Sequence, residues 1–153
     1  TLTSEEERVL HDYLFSVEIW GLYELSFFSS CSPLLSVQLL TKYTREMLRK
    51  SDFLQGVGKN RNMMHTLLLN GFMACIEVDD FTNALYFKKQ IEKNFFEENE
   101  TYFRIVYLWA EGLLDSKQGR VEDGQRKMED AVRIFEMIGC SKSADYYRSA
   151  IEC

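Results

Sequence analysis

The chain has 153 residues, 46% of them hydrophobic, which is enough to bury the core of one domain without invoking disorder. Its 24 acidic residues outnumber its 18 basic residues, and the net charge of −6 disfavours a phosphate backbone as the main partner of this chain. No apolar run approaches the length of about 18 residues that a membrane-spanning helix needs, so we expect no membrane partner.

The cysteine spacing indicates a reducing compartment. Cys31, Cys75, Cys140 and Cys153 are far apart and form no CxxC pair. We therefore expect reduced thiols in a cytoplasmic protein. The first residues, TLTSEEERV, contain neither an initiator methionine nor a basic region typical of a signal peptide, so we expect the chain to be part of a longer protein.

Apolar residues recur with helical spacing almost everywhere, and a single proline, Pro33, interrupts them, which predicts an all-α fold. The first helix is expected to follow a cap at Thr3 or Ser4 and to end near Val17. The second covers EIWGLYELSFFSS. Pro33 then opens a third, LLSVQLLTKYTREMLRK, and the GVG of residues 56–58 ends that unit.

Five more helices are expected after this point. The fourth runs from about Lys59 to Glu77, and the fifth, DFTNALYFKKQIEK, follows a cap at Asp79 or Asp80. The sixth runs from about Thr101 to Gln118. The seventh, VEDGQRKMEDAVRIFEMI, presents one apolar and one charged, solvated face, and the eighth begins at a Ser141 cap. About eight helices in short-looped pairs predict an array of helical hairpins.

One pair matches the tetratricopeptide pattern. That pattern places small residues where two helices touch, glycine at the turn and large apolar residues between neighbouring repeats. The matching residues are Gly112, Gly119, Val121, Gly124, Met128 and Ala131. A weaker match to the pattern occurs at Phe81 and Ala84. Phe81 precedes Val121 by 40 residues, whereas the usual repeat period is about 34 residues. The repeats are therefore predicted to be degenerate.

Motifs that carry chemistry are scarce. His11 and His65 are the two histidines, and neither stands at ligand spacing from cysteines or carboxylates, which disfavours a metal site or a catalytic triad. The segment GVGKNRN contains GxGK but lacks the preceding strand and the Ser or Thr of a phosphate-binding loop. We expect no enzyme and no cofactor.

Four segments together resemble a known family. They are YLFSVEIWGLYELSFFSSC, GVGKNRN, DDFTNALYFKKQIEK and GLLDSKQGRVEDGQRKMEDAVRIFEMIGC. From about Leu10 to Cys153 the chain resembles the C-terminal regulatory domain of the Rgg/GadR/MutR transcription regulators of Gram-positive bacteria. The most distinctive parts are WGLYE, Trp20 to Glu24, and GKNRN, Gly58 to Asn62.

The resemblance implies a right-handed α-solenoid of degenerate tetratricopeptide-like hairpins, one domain over residues 1–153, that binds a short signalling peptide on its concave face. It also implies an upstream helix-turn-helix domain, absent from this chain, through which DNA is bound. A homodimer is expected as well, with Tyr146, Tyr147 and Ile151 of the last helix as candidates. The alternative function is a tetratricopeptide-like scaffold that binds a protein partner without a peptide ligand.

The candidate peptide-binding residues lie mainly on the fourth helix. Spacings of three, four and seven group Asn62 with Thr66, Leu69, Asn70 and Met73 on one face. The amides can meet the donors and acceptors of a peptide backbone, and Arg61 can pair with a peptide carboxylate. Tyr23 and Trp109 complete the candidate set.

Structural roles compete with these assignments. Asn60 or Asn62 is a suitable helix cap, and a histidine on an apolar helix, as at His65, is typical of a satisfied core residue. Large aromatic residues are usually buried, so Trp20 and Trp109 are expected to pack in the core before they contact a ligand. Tyr23 and Glu24 are the residues that would bridge neighbouring helices.

Overall fold

The protein is built from helices. The computed structural model describes residues 1–51 and 58–152, and these ranges contain eight α-helices, one 3-10 helix and no strand. The elements are α1 (Ser4–Ser16), α2 (Leu22–Cys31), η1 (Ser32–Leu34), α3 (Val37–Lys50), α4 (Gly58–Glu77), α5 (Phe81–Lys93), α6 (Thr101–Lys117), α7 (Val121–Met137) and α8 (Ser141–Glu152). The prediction of an all-α fold with about eight helices is confirmed.

Two compact units divide the chain, Thr1–Gly71 and Phe72–Cys153. The first contains α1 to α3 and most of α4, and the second contains the end of α4 and α5 to α8. Each unit has its own buried apolar core, as described below. The GVG that was expected to end a unit begins with Gly56 and Val57, which lie outside the described residues, whereas Gly58 already belongs to α4.

The start of α1 follows the predicted cap. The Thr3 side chain accepts a hydrogen bond from the Glu6 amide at 3.2 Å, and the Glu6 carboxylate accepts one from the Thr3 amide at 2.7 Å. This reciprocal capping box satisfies two amides that have no partner within the helix. Of the two candidates, Thr3 is the cap, and Ser4 is the first helical residue.

The start of α2 differs from the prediction, because Glu18 to Gly21 precede the helix and only the last three residues of the WGLYE segment belong to it. The Trp20 amide donates to the Lys50 carbonyl oxygen at 2.9 Å, and its indole Nε1 donates to the Leu14 carbonyl oxygen at 3.1 Å. The Glu24 carboxylate accepts from the Gly21 amide at 2.9 Å and caps the helix from inside. Glu18 therefore lies in the turn, and α2 begins at Leu22.

The start of α3 also differs. Pro33 lies in η1 rather than at the beginning of α3, and the Ser36 hydroxyl accepts from the Leu39 amide at 3.3 Å to cap α3. At the other end of α3, the ammonium group of Lys50 donates to the carbonyl oxygens of Leu14 and Phe15 at 3.3 and 3.0 Å. Lys50 thereby ties the last turn of α1 to the last turn of α3.

The core of the first unit is rich in aromatic residues. Phe28 lies edge-on to Trp20 and to Tyr43, with ring centroids 5.7 and 6.0 Å apart. Leu14 and Met47 are fully buried beside them. Burial of such side chains contributes about 1.5–3 kcal/mol each, so this core holds α1, α2 and α3 together.

In the second unit, α6 and α7 form the predicted hairpin. Gly119, in the turn, has a φ of 96°, which favours glycine. Gly112 and Gly124 bring the two helix backbones into close contact, and Met128 and Ala131 are buried as the repeat pattern requires. Val121, the remaining apolar position, is 53% exposed. The tetratricopeptide-like spacing is confirmed for this pair of helices.

Helix α8 completes the second unit. Its first turn is closed by a hydrogen bond from the Ala144 amide to the Cys140 carbonyl oxygen at 3.0 Å, so Ser141 is the first helical residue and not the cap. Tyr147 is buried and stacks on Phe135 at 5.7 Å between ring centroids. Within the described residues, Cys31, Cys75 and Cys140 take part in no disulfide bond, and Cys153 lies outside these residues.

Candidate functional site

Helix α4 begins before the polar residues that the sequence singles out. Gly58 is its first residue, so Asn60 and Asn62 lie inside the helix and neither occupies the N-cap position. The capping interpretation is therefore wrong. The GKNRN segment, residues 58–62, therefore forms the first helical turns of α4.

Three polar side chains of α4 face solvent in a row. Asn62, Thr66 and Asn70 are exposed at intervals of four residues, and we call them the amide stripe. The Thr66 hydroxyl donates to the Asn62 carbonyl oxygen at 2.8 Å, so its oxygen lone pairs remain for an outside donor. Leu69, which the spacing placed on the same face, is only 2% exposed and belongs to the core.

The spacing of the amide stripe suits an extended peptide. A helix rises 1.5 Å per residue, so Asn62 and Asn70 are separated by about 12 Å along the axis. An extended chain advances about 3.3 Å per residue, and the two amides therefore match peptide groups roughly four residues apart. A carboxamide both donates and accepts, so each Asn side chain can pair with a backbone amide or a carbonyl. Met73 continues the face and is partly exposed.

Arg61 and His65 form an internal pair beside the amide stripe. Arg61 Nη2 lies 3.3 Å from His65 Nε2, and His65 is 1% exposed. Arginine only donates, so in this contact His65 Nε2 is the acceptor. The expectation that His65 is a satisfied core residue is confirmed. The spacing of four residues between them is the sequence signal that would have revealed this pair.

Tyr23 and Trp109, the aromatic candidates, have different surroundings. Tyr23 is 79% exposed in the first unit, next to Glu24, whose carboxylate accepts a hydrogen bond from the Tyr13 hydroxyl at 3.4 Å. Glu24 thus bridges α1 and α2. Trp109 is buried in the second unit with its ring centroid 5.1 Å from that of Tyr147, and among the described residues its Nε1 has no hydrogen-bond partner. The expected packing role of Trp20 and Trp109 is confirmed.

A polar cluster that the sequence did not reveal lies between α5 and α6. The Lys88 ammonium group is 3.0 Å from a Glu111 carboxylate oxygen, and the Tyr107 hydroxyl donates to Glu92 at 3.1 Å. Burial lowers the pKa of Lys88, but the hydrogen bonds and charges of Glu111 and Tyr107 raise it by more. The pKa of Lys88 is therefore above its usual value. In the sequence, the cluster could have been recognised only from two pairs of polar residues with a spacing of four, Lys88 with Glu92 and Tyr107 with Glu111. The cluster joins two helices of the second unit.

Within residues 1–51 and 58–152, no group of three His, Cys, Asp or Glu side chains is arranged to hold a metal ion. In the same part of the chain, no helix is both long enough and apolar enough to cross a lipid bilayer.

Known proteins are similar to the chain over nearly its whole length. The family model described as the C-terminal domain of the HTH-type transcriptional regulator Rgg matches residues 1–149. Two crystal structures of the SHP pheromone receptor Rgg2 from Streptococcus dysgalactiae, one of a cysteine-to-serine variant, are 29% identical in sequence with a TM-score of 0.90. The similarity covers 98% of this chain and 55% and 56% of those chains.

A further solved structure shares the fold. It is the crystal structure of a proposed transcriptional regulator from Listeria monocytogenes EGD-e, with 20% identity and a TM-score of 0.83. The similarity covers 99% of this chain and 52% of that one. The chain thus spans about half the length of the solved structures that it matches.

Proposed function

The chain belongs to the family of C-terminal domains of HTH-type transcriptional regulators called Rgg, and we propose that in such a regulator it binds a short signalling peptide through the amide stripe of α4. Membership of the family makes it a regulatory domain of a transcription regulator. The peptide, its binding residues and its effect on DNA binding are our proposal.

One observation carries this proposal: the amide stripe is exposed on a helix whose neighbouring positions are buried. Leu67, Leu68 and Leu69 are each at most 2% exposed, whereas Asn62, Thr66 and Asn70 face solvent. Exposed amides that have no structural duty cost little in the free protein and can form hydrogen bonds with a ligand. A receptor for a pheromone, Rgg2, is 29% identical, which supports a peptide as the class of ligand.

Apolar contacts would supplement these hydrogen bonds. Met73 follows the amide stripe, and methionine side chains adapt to ligands of different shape. Tyr23 offers a large exposed ring in the first unit. Arg61 is proposed to attract a peptide carboxylate while it keeps its contact with His65. Trp109 is buried in the free protein, so its part in binding requires that the peptide reach the core of the second unit.

We propose that an upstream helix-turn-helix domain supplies the DNA binding, because the chain alone is acidic and its relatives are longer. We also propose that the regulator is a homodimer. On α8, Tyr146 is 69% exposed and Ile151 is partly exposed, so these side chains are available to a second subunit. Tyr147 supports the dimer face from within the core. The chain expressed alone is expected to leave promoter DNA unbound at low salt, because its charge of −6 repels phosphates.

The test is a direct binding measurement with the full-length regulator. Synthetic peptides from short hydrophobic reading frames beside its gene are labelled with fluorescein and titrated with protein, and anisotropy is recorded. We expect one peptide to bind saturably and to change the affinity of the regulator for its own promoter. Capture of a folded protein partner, with no binding of any such peptide, would favour the scaffold function instead.

A further inference from the structure

Asn70 is followed directly by Gly71 inside α4. The chain contains six asparagines, and only Asn70 precedes a glycine. Its side chain is exposed, and within residues 1–51 and 58–152 its carboxamide makes no hydrogen bond to another side chain or to the backbone. Asn62 is also exposed on the same helix but is followed by Met63. The two asparagines therefore share a setting and differ in the residue that follows them.

An asparagine side chain can react with the backbone nitrogen of the next residue, which makes asparagine a thermolabile residue. The Gly71 nitrogen would attack Cγ of Asn70, lose its proton to hydroxide and expel the side-chain nitrogen as ammonia. The product is a five-membered succinimide, which water opens to an aspartate or an isoaspartate. The net reaction consumes one water molecule and releases one ammonia molecule. Glycine favours the ring closure because it has no Cβ atom beside the attacking nitrogen and its backbone rotates readily.

The closed α-helix opposes this reaction. The Gly71 amide is directed at the Leu67 carbonyl oxygen, as the helical pattern requires, so the ring closes only when α4 opens locally. Glycine is a poor helix former, and Gly71 lies well inside this helix of 20 residues, which makes local opening easier here. The boundary between the two compact units also falls directly after Gly71, so an opening at this point need not disturb the packing within either unit.

We propose that Asn70 is a site of spontaneous deamidation in the folded protein, which replaces one end of the amide stripe with a carboxylate. An aspartate accepts hydrogen bonds but no longer donates them, and it adds a negative charge to a stripe whose side chains are all neutral. An isoaspartate also lengthens the main chain by one methylene group and interrupts the hydrogen bonds of α4. The consequence for peptide binding rests on the proposed function, whereas the modification itself does not.

Incubation of the full-length regulator at pH 8 and 37 °C, with a reducing agent and without peptide, tests the proposal. Peptide mass spectrometry measures the conversion of each asparagine, and an isoaspartate methyltransferase labels the isoaspartate product. We expect Asn70 to deamidate severalfold faster than Asn62, and Gly71→Ala to slow the reaction of Asn70 severalfold. Because Gly71 is buried, the alanine variant is used only if its circular dichroism matches that of the wild type. Otherwise the comparison with Asn62 decides.

A parallel sample unfolded in urea gives the rate of the open chain. If Asn70 stays intact in the folded regulator while it deamidates in urea, the proposal is overturned, and equal rates for Asn70 and Asn62 would overturn it as well. The effect on the ligand is measured separately with Asn70→Asp in the anisotropy titration, and this variant should bind its peptide at least as weakly as Asn70→Ala does. If no peptide binds at all, the proposed function fails, but the deamidation result stands.

Discussion

Gly112 of α6 and Gly124 of α7 lie backbone against backbone in the second unit. A Cβ atom added to Gly112 would stand 2.6 Å from the Gly124 carbonyl oxygen and 2.9 Å from Met128 Cγ. A Cβ atom on Gly124 would meet the Gly112 carbonyl oxygen even more closely. Real side chains do not approach so near, so these two positions require glycine for packing rather than for backbone conformation.

Gly112→Ala should destabilise the chain by roughly 2 kcal/mol, which lowers the Tm by about 5 °C. The clash with backbone atoms separates α6 from α7, and the better helix propensity of alanine, about 1 kcal/mol, offsets only part of this cost. Gly21→Ala is the matched control, because a Cβ atom there meets Glu24 at 3.7 Å, an ordinary contact. Thermal unfolding followed by circular dichroism compares the two. Equal stability of both variants would show that the helices can move apart freely.

Trp20→Phe should cost more stability than Trp109→Phe. Both indoles are buried, at 3% and 4% exposure, but only the Nε1 of Trp20 has a hydrogen bond within the described residues, to the Leu14 carbonyl oxygen. When the indole of Trp20 is removed, the Leu14 carbonyl oxygen keeps the Lys50 ammonium group as its remaining side-chain donor. We expect a difference of roughly 1 kcal/mol in the free energy of unfolding, measured in urea. A larger loss for Trp109→Phe would contradict the assigned roles.

Asp115→Asn should destabilise the α6–α7 turn in a pH-dependent way. Asp115 accepts from Arg120 at 2.7 Å and from Lys127 at 2.8 Å. Burial raises the pKa of Asp115, but the hydrogen bonds and charges of Lys127 and Arg120 outweigh it, and the net pKa is lowered. A lowered pKa in the folded protein means that this stabilisation is present above the unfolded-state value of about 3.9 and is lost as the pH falls through the folded-state pKa.

The Tm difference between wild type and Asp115→Asn is therefore expected to be largest near pH 7 and to shrink as the medium becomes acidic. Differential scanning calorimetry at several pH values measures it. Asp130→Asn is the control, because its partner Arg133 is exposed and such pairs contribute little. A difference for Asp115→Asn that persists unchanged well below pH 3 would show that charge is not the cause.

Helix existence could be predicted from the sequence, and two helix starts could not. The 3.6-residue period continues through Glu18 and Trp20, but the amide and indole of Trp20 are engaged by the carbonyl oxygens of Lys50 and Leu14, which are distant in sequence. Likewise, Pro33 is a favourable first helical residue, yet it lies in η1 because Ser36 supplies a better cap for α3. Local patterns carry no information about such tertiary partners.

The exposure of the candidate binding residues on α4 could be predicted in part, whereas their binding role stays a prediction. Spacing alone placed Asn62, Thr66 and Asn70 on one helix face, and the structure exposes all three. The same spacing included Leu69. This residue lies at the edge of that face, and its side chain is buried in the core. The contact with His65 gives the Arg61 guanidinium group a structural role within α4, in addition to the proposed binding role. An Arg61→Ala variant would therefore lose stability as well as any ligand contact, and it is a poor test of binding.

The amide stripe is tested most directly by the affinity of the full-length regulator for its peptide after Asn62→Ala and Asn70→Ala, each measured singly by fluorescence anisotropy. Each variant should bind about five- to thirtyfold more weakly, the effect of losing one hydrogen bond of roughly 1–2 kcal/mol, while its Tm changes by less than about 2 °C because both side chains are exposed. Asn99→Ala, an exposed asparagine between α5 and α6, should bind as wild type does. Unchanged affinity in both stripe variants would contradict the account.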